Sequence, residues 1–430
     1  MSHHSAAAVA VRDPYRWTVL GIATFTQAAS CFFVQGIGAM AVPLERALDL
    51  GTAQLGLLLS ASQLMPLIGL LVVGDLLDRY DERWVVGIGA GVVGLGLLTG
   101  SLAQGYVSLL VVLLVVGAGY STAQPGGSKS VAAWFDPGQR GFAMGVRQAG
   151  LPLGGALAAA VLPALAVSYG WRSALAAGGL VALLGAGTFT ALYRRPAMPS
   201  PMPAAPAGAA YDVPAASLLA RLTMLREPAM RRILLSGLCM VSVHSGIGVL
   251  GALYLHEVTS LGPGPAAAVL VAVQVAGGLG RIALAAWSDH SRAGRYLPIL
   301  VSMAAAVAGL VALTTPVGRH PGAAAVLFAW LGFFGIGWYG PWVAHLTESA
   351  PPGRTGFALG LVMAITQVAV ILVPPALGLL RDATGSFTPA WAALAVPTAA
   401  TVALTARGAL PATRTRSRRA APVEKVRAEK

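Results

Sequence analysis

Apolar residues in this 430-residue chain come in long runs, without the alternation of a strand or the one-sided stripe of a soluble helix. Twelve such windows lie at 17–42, 52–74, 84–103, 106–127, 141–168, 172–193, 232–256, 265–287, 297–315, 322–346, 355–380 and 388–408. A helix that is hydrophobic on every side needs an apolar medium around it. About 20 such residues cross a bilayer core, and only a helix keeps all its backbone hydrogen bonds within so short a segment. The pattern therefore predicts an all-α membrane protein with twelve transmembrane helices. The longest polar stretch, 194–231, contains Pro199, Pro201, Pro203, Pro206 and Pro214 and reads as a cytoplasmic linker. It separates a six-span half at 1–193 from a second at 232–408, with a basic tail at 409–430.

The two halves carry a common segment. Pro137-Gly138-Gln139-Arg140-Gly141-Phe142-Ala143-Met144-Gly145 returns 215 positions later as Pro352-Gly353-Arg354-Thr355-Gly356-Phe357-Ala358-Leu359-Gly360. Six of the nine residues are identical, and the offset is half the chain. Self-similarity at that period means two structural repeats. In so apolar a chain it predicts two pseudo-symmetric six-helix bundles of parallel topology, with a binding site between them.

Composition agrees: 56% of residues are hydrophobic and 10% charged, against roughly 25% charged in soluble domains. Mean hydropathy is +0.72. The net charge of +13 would permit a nucleic-acid partner, but its placement points elsewhere. With a cytoplasmic amino terminus, the even-numbered loops and both tails hold Arg12, Arg16, Arg79, Arg83, Lys129, Arg140, Arg194, Arg195, Arg231, Arg232, Arg292, Arg295, Arg354 and Arg414, Arg416, Arg418, Arg419. The other side holds only Arg46, Arg172, Arg319 and Arg381. This asymmetry follows the positive-inside rule and predicts cytoplasmic termini. The basic tail is expected to meet anionic lipid or solvent, and no nucleic acid. The polar first sixteen residues run into a full-length span, which predicts a retained helix in place of a cleaved leader. Cys31 and Cys239 both fall within spans, so inert thiols are expected and not a disulfide. The abundance of Arg, Ala, Gly and Pro over Lys reads as GC-rich coding and points to a bacterial inner membrane.

Between the second and third spans stands Gly74-Asp75-Leu76-Leu77-Asp78-Arg79-Tyr80-Asp81-Glu82-Arg83. It resembles the G-x-L-x-D-R-x-G-x-R loop of the major facilitator superfamily, with Asp81 and Glu82 departing from the pattern. A degenerate copy, Gly280-Arg281, Ser288-Asp289-His290 and Gly294-Arg295, follows the eighth span. The resemblance covers nearly the whole chain and implies the major facilitator fold, in which this loop gates the cytoplasmic side. The gating residues would be Gly74, Asp78, Arg79, Arg83 and Asp289. Physically, Gly74 lets two helices approach closely, and Asp78 can pair with a cation or cap a helix amino terminus. A solvated turn with topogenic arginines is the plainer alternative. A narrower likeness runs through Gly117, Gly119-Tyr120, Lys129, Trp134-Phe135, Pro137, Arg140-Gly141 and Ala143-x-Gly145. Together with Gly280-Arg281 and Asp289, it is similar to monocarboxylate and oxalate/formate-type transporters. That likeness implies that the arginine on span eight binds the substrate carboxylate.

Charges inside a span cost roughly 2.5–3.5 kcal/mol on insertion scales and so mark candidate sites. Two arginines lie well within spans, Arg147 on the fifth and Arg281 on the eighth, one in each half. Arginine stays charged and offers a planar fork that matches a carboxylate. Together they would form an anion clamp; the alternatives are snorkelling or a structural pairing. Gln274 shares a helix face with Arg281, and Gln148 adjoins Arg147. Gln27, Gln63, His244 and Gln367 fall near the middles of their spans, and Tyr339 lies deep on the tenth. As a set they suit a polar cavity; each alone also serves as glue between helices. Every Asp and Glu is in a loop or near a span end, leaving His244 as the one central group that titrates near neutrality.

These observations predict a secondary transporter of a small organic anion, a monocarboxylate by resemblance, working by alternating access with proton symport or anion exchange. The expected partners are the anion, protons and the bilayer, with the protein a monomer and no cofactor. Drug/proton antiport is the alternative, favoured by Gly150-Leu151-Pro152-Leu153-Gly154-Gly155 but lacking its span-four arginine, where Leu113 stands. Nitrate/nitrite transport would need an arginine in 52–74, where none occurs. A membrane sensor or scaffold would need a signalling domain. No phosphate loop, metal-ligand cluster or nucleophile constellation points to an enzyme.

Overall fold

The computed structural model describes residues 13–50, 52–196, 223–291 and 293–406. The middle of the 194–231 linker, the basic tail, Arg12 and Arg292 lie outside the described residues. Every regular element among the described residues is helical. The first half contains α1 (Tyr15–Gly36), α2 (Ala41–Leu48), α3 (Thr52–Leu64), α4 (Pro66–Arg79), α5 (Glu82–Gly100), α6 (Tyr106–Tyr120), α7 (Ala123–Trp134), α8 (Pro137–Tyr169) and α9 (Trp171–Leu192). The second contains α10 (Pro228–Glu257), α11 (Pro263–His290), α12 (Tyr296–Leu313), α13 (Pro321–Gly335), α14 (Tyr339–Ser349), α15 (Thr355–Thr384) and α16 (Thr388–Ala406).

Eleven described stretches are long and apolar enough to cross a membrane. The twelfth expected span is made by α3 and α4, which Met65 divides. Three spans are thus broken helices, α3–α4, α6–α7 and α13–α14, and each carries a proline at or just beyond the break. Proline has no N–H for the carbonyl four residues back. Pro125 leaves Ser121 without that partner and Pro341 does the same to Gly337, which is where those spans break. The periodicity of the sequence ran span one on to 42, but α1 stops at Gly36, and a tight turn and short α2 follow. Lys129, expected in a loop, is on α7 instead, because the fourth span continues to Trp134.

Helices of each half pack mainly on one another, giving two six-span bundles. They meet where α8 lies against α11 and α4 lies against α15. Both seams are built on glycine. A Cβ on Gly74 would lie 2.9 Å from the Gly356 carbonyl oxygen, and one on Gly145 would strike the Arg281 carbonyl. Small residues let the backbones close to that distance. The face holding Arg79, Arg83, Arg140, Arg195, Arg295 and Arg354 is called the basic face below.

Candidate functional site

Between the bundles lies a cavity of about 920 Å³. Its lining reaches Gln35, next to the end of α1, and Val271 near the start of α11, both toward the end opposite the basic face. Toward the basic face it stops at Leu70, Arg281 with Ile282, and Tyr339. Arg281 is eight residues before Asp289, so the floor stands roughly 12 Å above that aspartate.

Arg281 belongs to this floor and is 2% exposed. Its Nη1 donates to the Gln148 carbonyl at 2.7 Å, and its Nε to the Ile336 carbonyl at 3.4 Å. The guanidinium lies 5.5 Å from the centre of the Tyr339 ring. Tyr339 Oη in turn donates to Gln124 Oε1 at 2.7 Å. Those two residues are 215 positions apart, the offset of the repeated segment, and the bond joins the two halves. Gln367 Nε2 donates to the Gln63 carbonyl at 3.1 Å, another bond between the halves. Gln63, Gln274, His244, Gln367 and Tyr339 line the cavity with Arg281. Gln63 and Gln274 stand equally far before Asp78 and Asp289, as repeat partners should.

Arg147, Gln148 and Gln27 are not among the lining residues and are 0–1% exposed. Arg147 is held inside the first bundle, where its Nη1 donates to Ser128 Oγ at 2.8 Å and its Nη2 to Gln27 Oε1 at 2.6 Å and to the Ala123 carbonyl. The two arginines therefore do not converge as a clamp here: one faces the cavity and the other lies behind its wall. The reason is local, because Gly127 leaves the space on α7 that the Arg147 guanidinium fills. Among the described residues neither arginine pairs with a carboxylate.

The basic face is closed by two matching caps. Asp78, at the end of α4, accepts from the Gly356 and Phe357 amides at 2.7 and 2.8 Å. Asp289, at the end of α11, accepts from the Gly141 and Phe142 amides at 2.8 and 2.7 Å. Each carboxylate thus binds backbone amides near the amino-terminal end of a helix in the opposite half, the second and third residues of α15 for Asp78 and the fifth and sixth of α8 for Asp289, where the helix dipole favours negative charge. These amides belong to the duplicated segment itself. Lys129 lies 3.6 Å from Asp78 and 3.2 Å from Glu82. Arg295 bonds Asp289 at 2.6 Å and also Glu348, which Arg140 reaches from the other half at 3.3 Å. Arg195 pairs with Glu82 at 2.8 Å; burial alone would weaken its charge, but Glu82 outweighs that and raises its pKa. Arg79 is exposed at the end of α4, and Arg83 bonds the Thr190 carbonyl within its own bundle.

Sequence reasoning missed Gln35, Gln124 and Tyr120 in the lining, and Glu348 on the basic face. Gln124 was open to discovery through the repeat offset from Tyr339, and Tyr120 stood within the narrower likeness; Gln35 and Glu348 carry no sequence signal of their own.

Two six-span bundles around a central polar-floored cavity, sealed at one end, are the architecture of a membrane transporter. Residues 23–374 match the Major Facilitator Superfamily, and the chain belongs to that family. It is not an enzyme. An uncharacterized MFS-type transporter of Mycobacterium tuberculosis is 29% identical over 95% of this chain and 90% of its own length. Monocarboxylate transporter 11 of Mus musculus is 29% identical over 73% of this chain and 70% of its own. Among solved structures, the Escherichia coli fucose:proton symporter FucP in its outward conformation superposes with a TM-score of 0.72 at 17% identity, covering 94% of this chain and 100% of that one.

Proposed function

We propose that this protein moves a small organic anion, of the monocarboxylate kind, by alternating access, coupled to proton symport or to anion exchange. The observation that carries the reading is Arg281: a buried guanidinium at the floor of an interbundle cavity, bonded to carbonyls and, among the described residues, paired with no carboxylate. An anion entering the cavity would supply the missing charge in a low-dielectric setting, where a paired charge-assisted hydrogen bond is strongest. Gln63, Gln274, Gln367, Tyr339 and His244 would orient the rest of the molecule. Arg147 with Gln27 and Gln148 supports the wall from behind. The monocarboxylate name of the mouse relative supports the same substrate class.

On the positive-inside argument the basic face is cytoplasmic, both termini lie there, and the state described is outward-facing with Asp78 and Asp289 as gate residues. The 194–231 segment links the two domains, and the protein acts as a monomer in a bacterial inner membrane. Uptake of a labelled panel of acids into proteoliposomes tests the reading. Wild type should accumulate at least one acid, and Arg281→Ala should reduce that uptake to background. Undiminished transport of the best acid by the variant refutes the anion site, and transport only of lipophilic cations against protons establishes drug antiport.

A further inference from the structure

The carbonyl that holds Arg281 is available because of a proline. Pro152 lies inside α8 and has no N–H, and the carbonyl four residues back, which an amide there would engage, is that of Gln148. Arg281 takes this carbonyl at 2.7 Å from the opposite bundle. Its second acceptor, Ile336, follows the end of α13, where helix carbonyls are again without intrahelical donors. The Pro152 ring faces α11, where a Cβ on Gly278 would meet it at 4.0 Å. The Gln148 side chain takes no part: its amide nitrogen and oxygen are buried without partners.

Opening the basic face requires α8 and α11 to part, and that breaks the bond between Arg281 and Gln148. In the empty protein the guanidinium would then lose a preformed acceptor, with no described carboxylate to replace it. A bound anion changes the balance, because a carboxylate is a stronger acceptor than a carbonyl. A ligand shifts a conformational equilibrium by its differential affinity for the two states, and here the carbonyl and the anion compete for one guanidinium.

We propose that Pro152 is a positioning residue that makes Arg281 an anion-released latch between the bundles. The Gln148 carbonyl holds the empty protein shut on the basic face, and the bound anion lets it go. The loaded protein therefore changes sides faster than the empty one, and exchange of anions outruns net uptake. This rests on the reading of Arg281 as the carboxylate ligand.

A distance measurement needs no ligand and so tests the latch separately. Spin labels are placed at Tyr80→Cys and His290→Cys, on exposed residues of the basic face in opposite halves, with Cys31→Ala and Cys239→Ala. Electron–electron resonance in nanodiscs should give one short distance for this background. Pro152→Ala restores an amide to Gln148 and should raise the separated population roughly tenfold, the worth of one hydrogen bond to a charged group. Pro163→Ala, which restores an amide to Ala159 instead, should leave the distribution unchanged. In an Arg281→Gln background, Pro152→Ala should add nothing. Should Pro152→Ala fail to fold, Pro152→Ser restores the same amide. An unchanged distribution in the Pro152 variant, or an equal further shift without Arg281, overturns the latch.

The second measurement uses radiolabelled L-lactate in proteoliposomes, either empty or preloaded with unlabelled lactate. Preloaded vesicles should take up label several-fold faster with wild type, and the ratio should fall toward one with Pro152→Ala. Equal rates with wild type overturn the latch. Failure to move lactate in either mode counts against the monocarboxylate reading instead, and the distances then decide the latch.

Discussion

Arg147 and Arg281 are the same residue type, equally buried, one in each half, yet the fold gives them different surroundings. Arg147 donates to Gln27, Ser128 and the Ala123 carbonyl, all within its own bundle. Arg281 donates to Gln148 across the seam and faces the cavity. Burial of a charge in a membrane span marks a residue that matters, and the side of the seam on which its acceptors lie separates support from site. An arginine satisfied inside one bundle can ride with that bundle as it rocks. One whose acceptor belongs to the other bundle must change partners whenever the bundles move.

The comparison can be broken most directly at transport itself. Arg281→Ala is expected to lower anion uptake by about 100-fold or more while the protein still elutes as a single species, because a charge left without its partner costs several kcal/mol. Arg281→Lys should recover part of the loss, since it keeps the charge but not the fork. Wild-type uptake by Arg281→Ala would erase the distinction between the two arginines.

Arg147→Ala should show the opposite signature. It orphans the buried Gln27 oxygen, takes a donor from Ser128 Oγ, and is expected to cost about 3 kcal/mol of stability. A thermal melt in detergent would show this as a drop of several degrees, while KM of the folded fraction stays within about twofold of wild type. A large KM change with an unchanged melt would place Arg147 in contact with substrate.

The two caps on the basic face extend the comparison between halves. Asp289 has Arg295 at 2.6 Å, whereas Asp78 has Lys129 at 3.6 Å. Asp289→Asn should therefore open the basic face more than Asp78→Asn, each by a few-fold in population, since a helix-terminus charge is worth roughly 0.3–2 kcal/mol. Labelling of basic-face cysteines by a membrane-impermeant maleimide in inverted vesicles measures it; equal labelling of both variants would show that Arg295 adds nothing. The smallest effect belongs to Arg381→Ala. This residue bonds Glu257 and Asp382 at the opposite face, in contact with solvent, where ion pairs contribute little. Neither melting temperature nor uptake should change measurably.

Much of this architecture was legible in the chain. Twelve apolar windows marked the spans, and the segment repeated at 215 residues marked the two bundles. Asp78 stood out as a candidate helix cap, although nothing in its neighbourhood named Gly356 and Phe357 as the donors. The breaks were harder, because a proline within an apolar window leaves mean hydropathy nearly unaltered while it removes one backbone hydrogen bond. Lys129 looked like a loop residue for a similar reason: hydropathy ends a span where charge begins, but a helix continues wherever a charge finds partners, here Asp78 and Glu82.

What the sequence determined by itself is what depends on local composition and period: the helical spans, their number, the duplication, the asymmetry of basic charge and the two buried arginines. Tertiary structure decided which of those arginines faces the cavity, that each aspartate caps a helix of the opposite half, and that the carbonyl opposite Pro152 is taken by Arg281. These are relations between segments more than a hundred residues apart. No period or propensity encodes them, because they arise only when two bundles close on each other and each orphaned donor or acceptor finds its nearest complement.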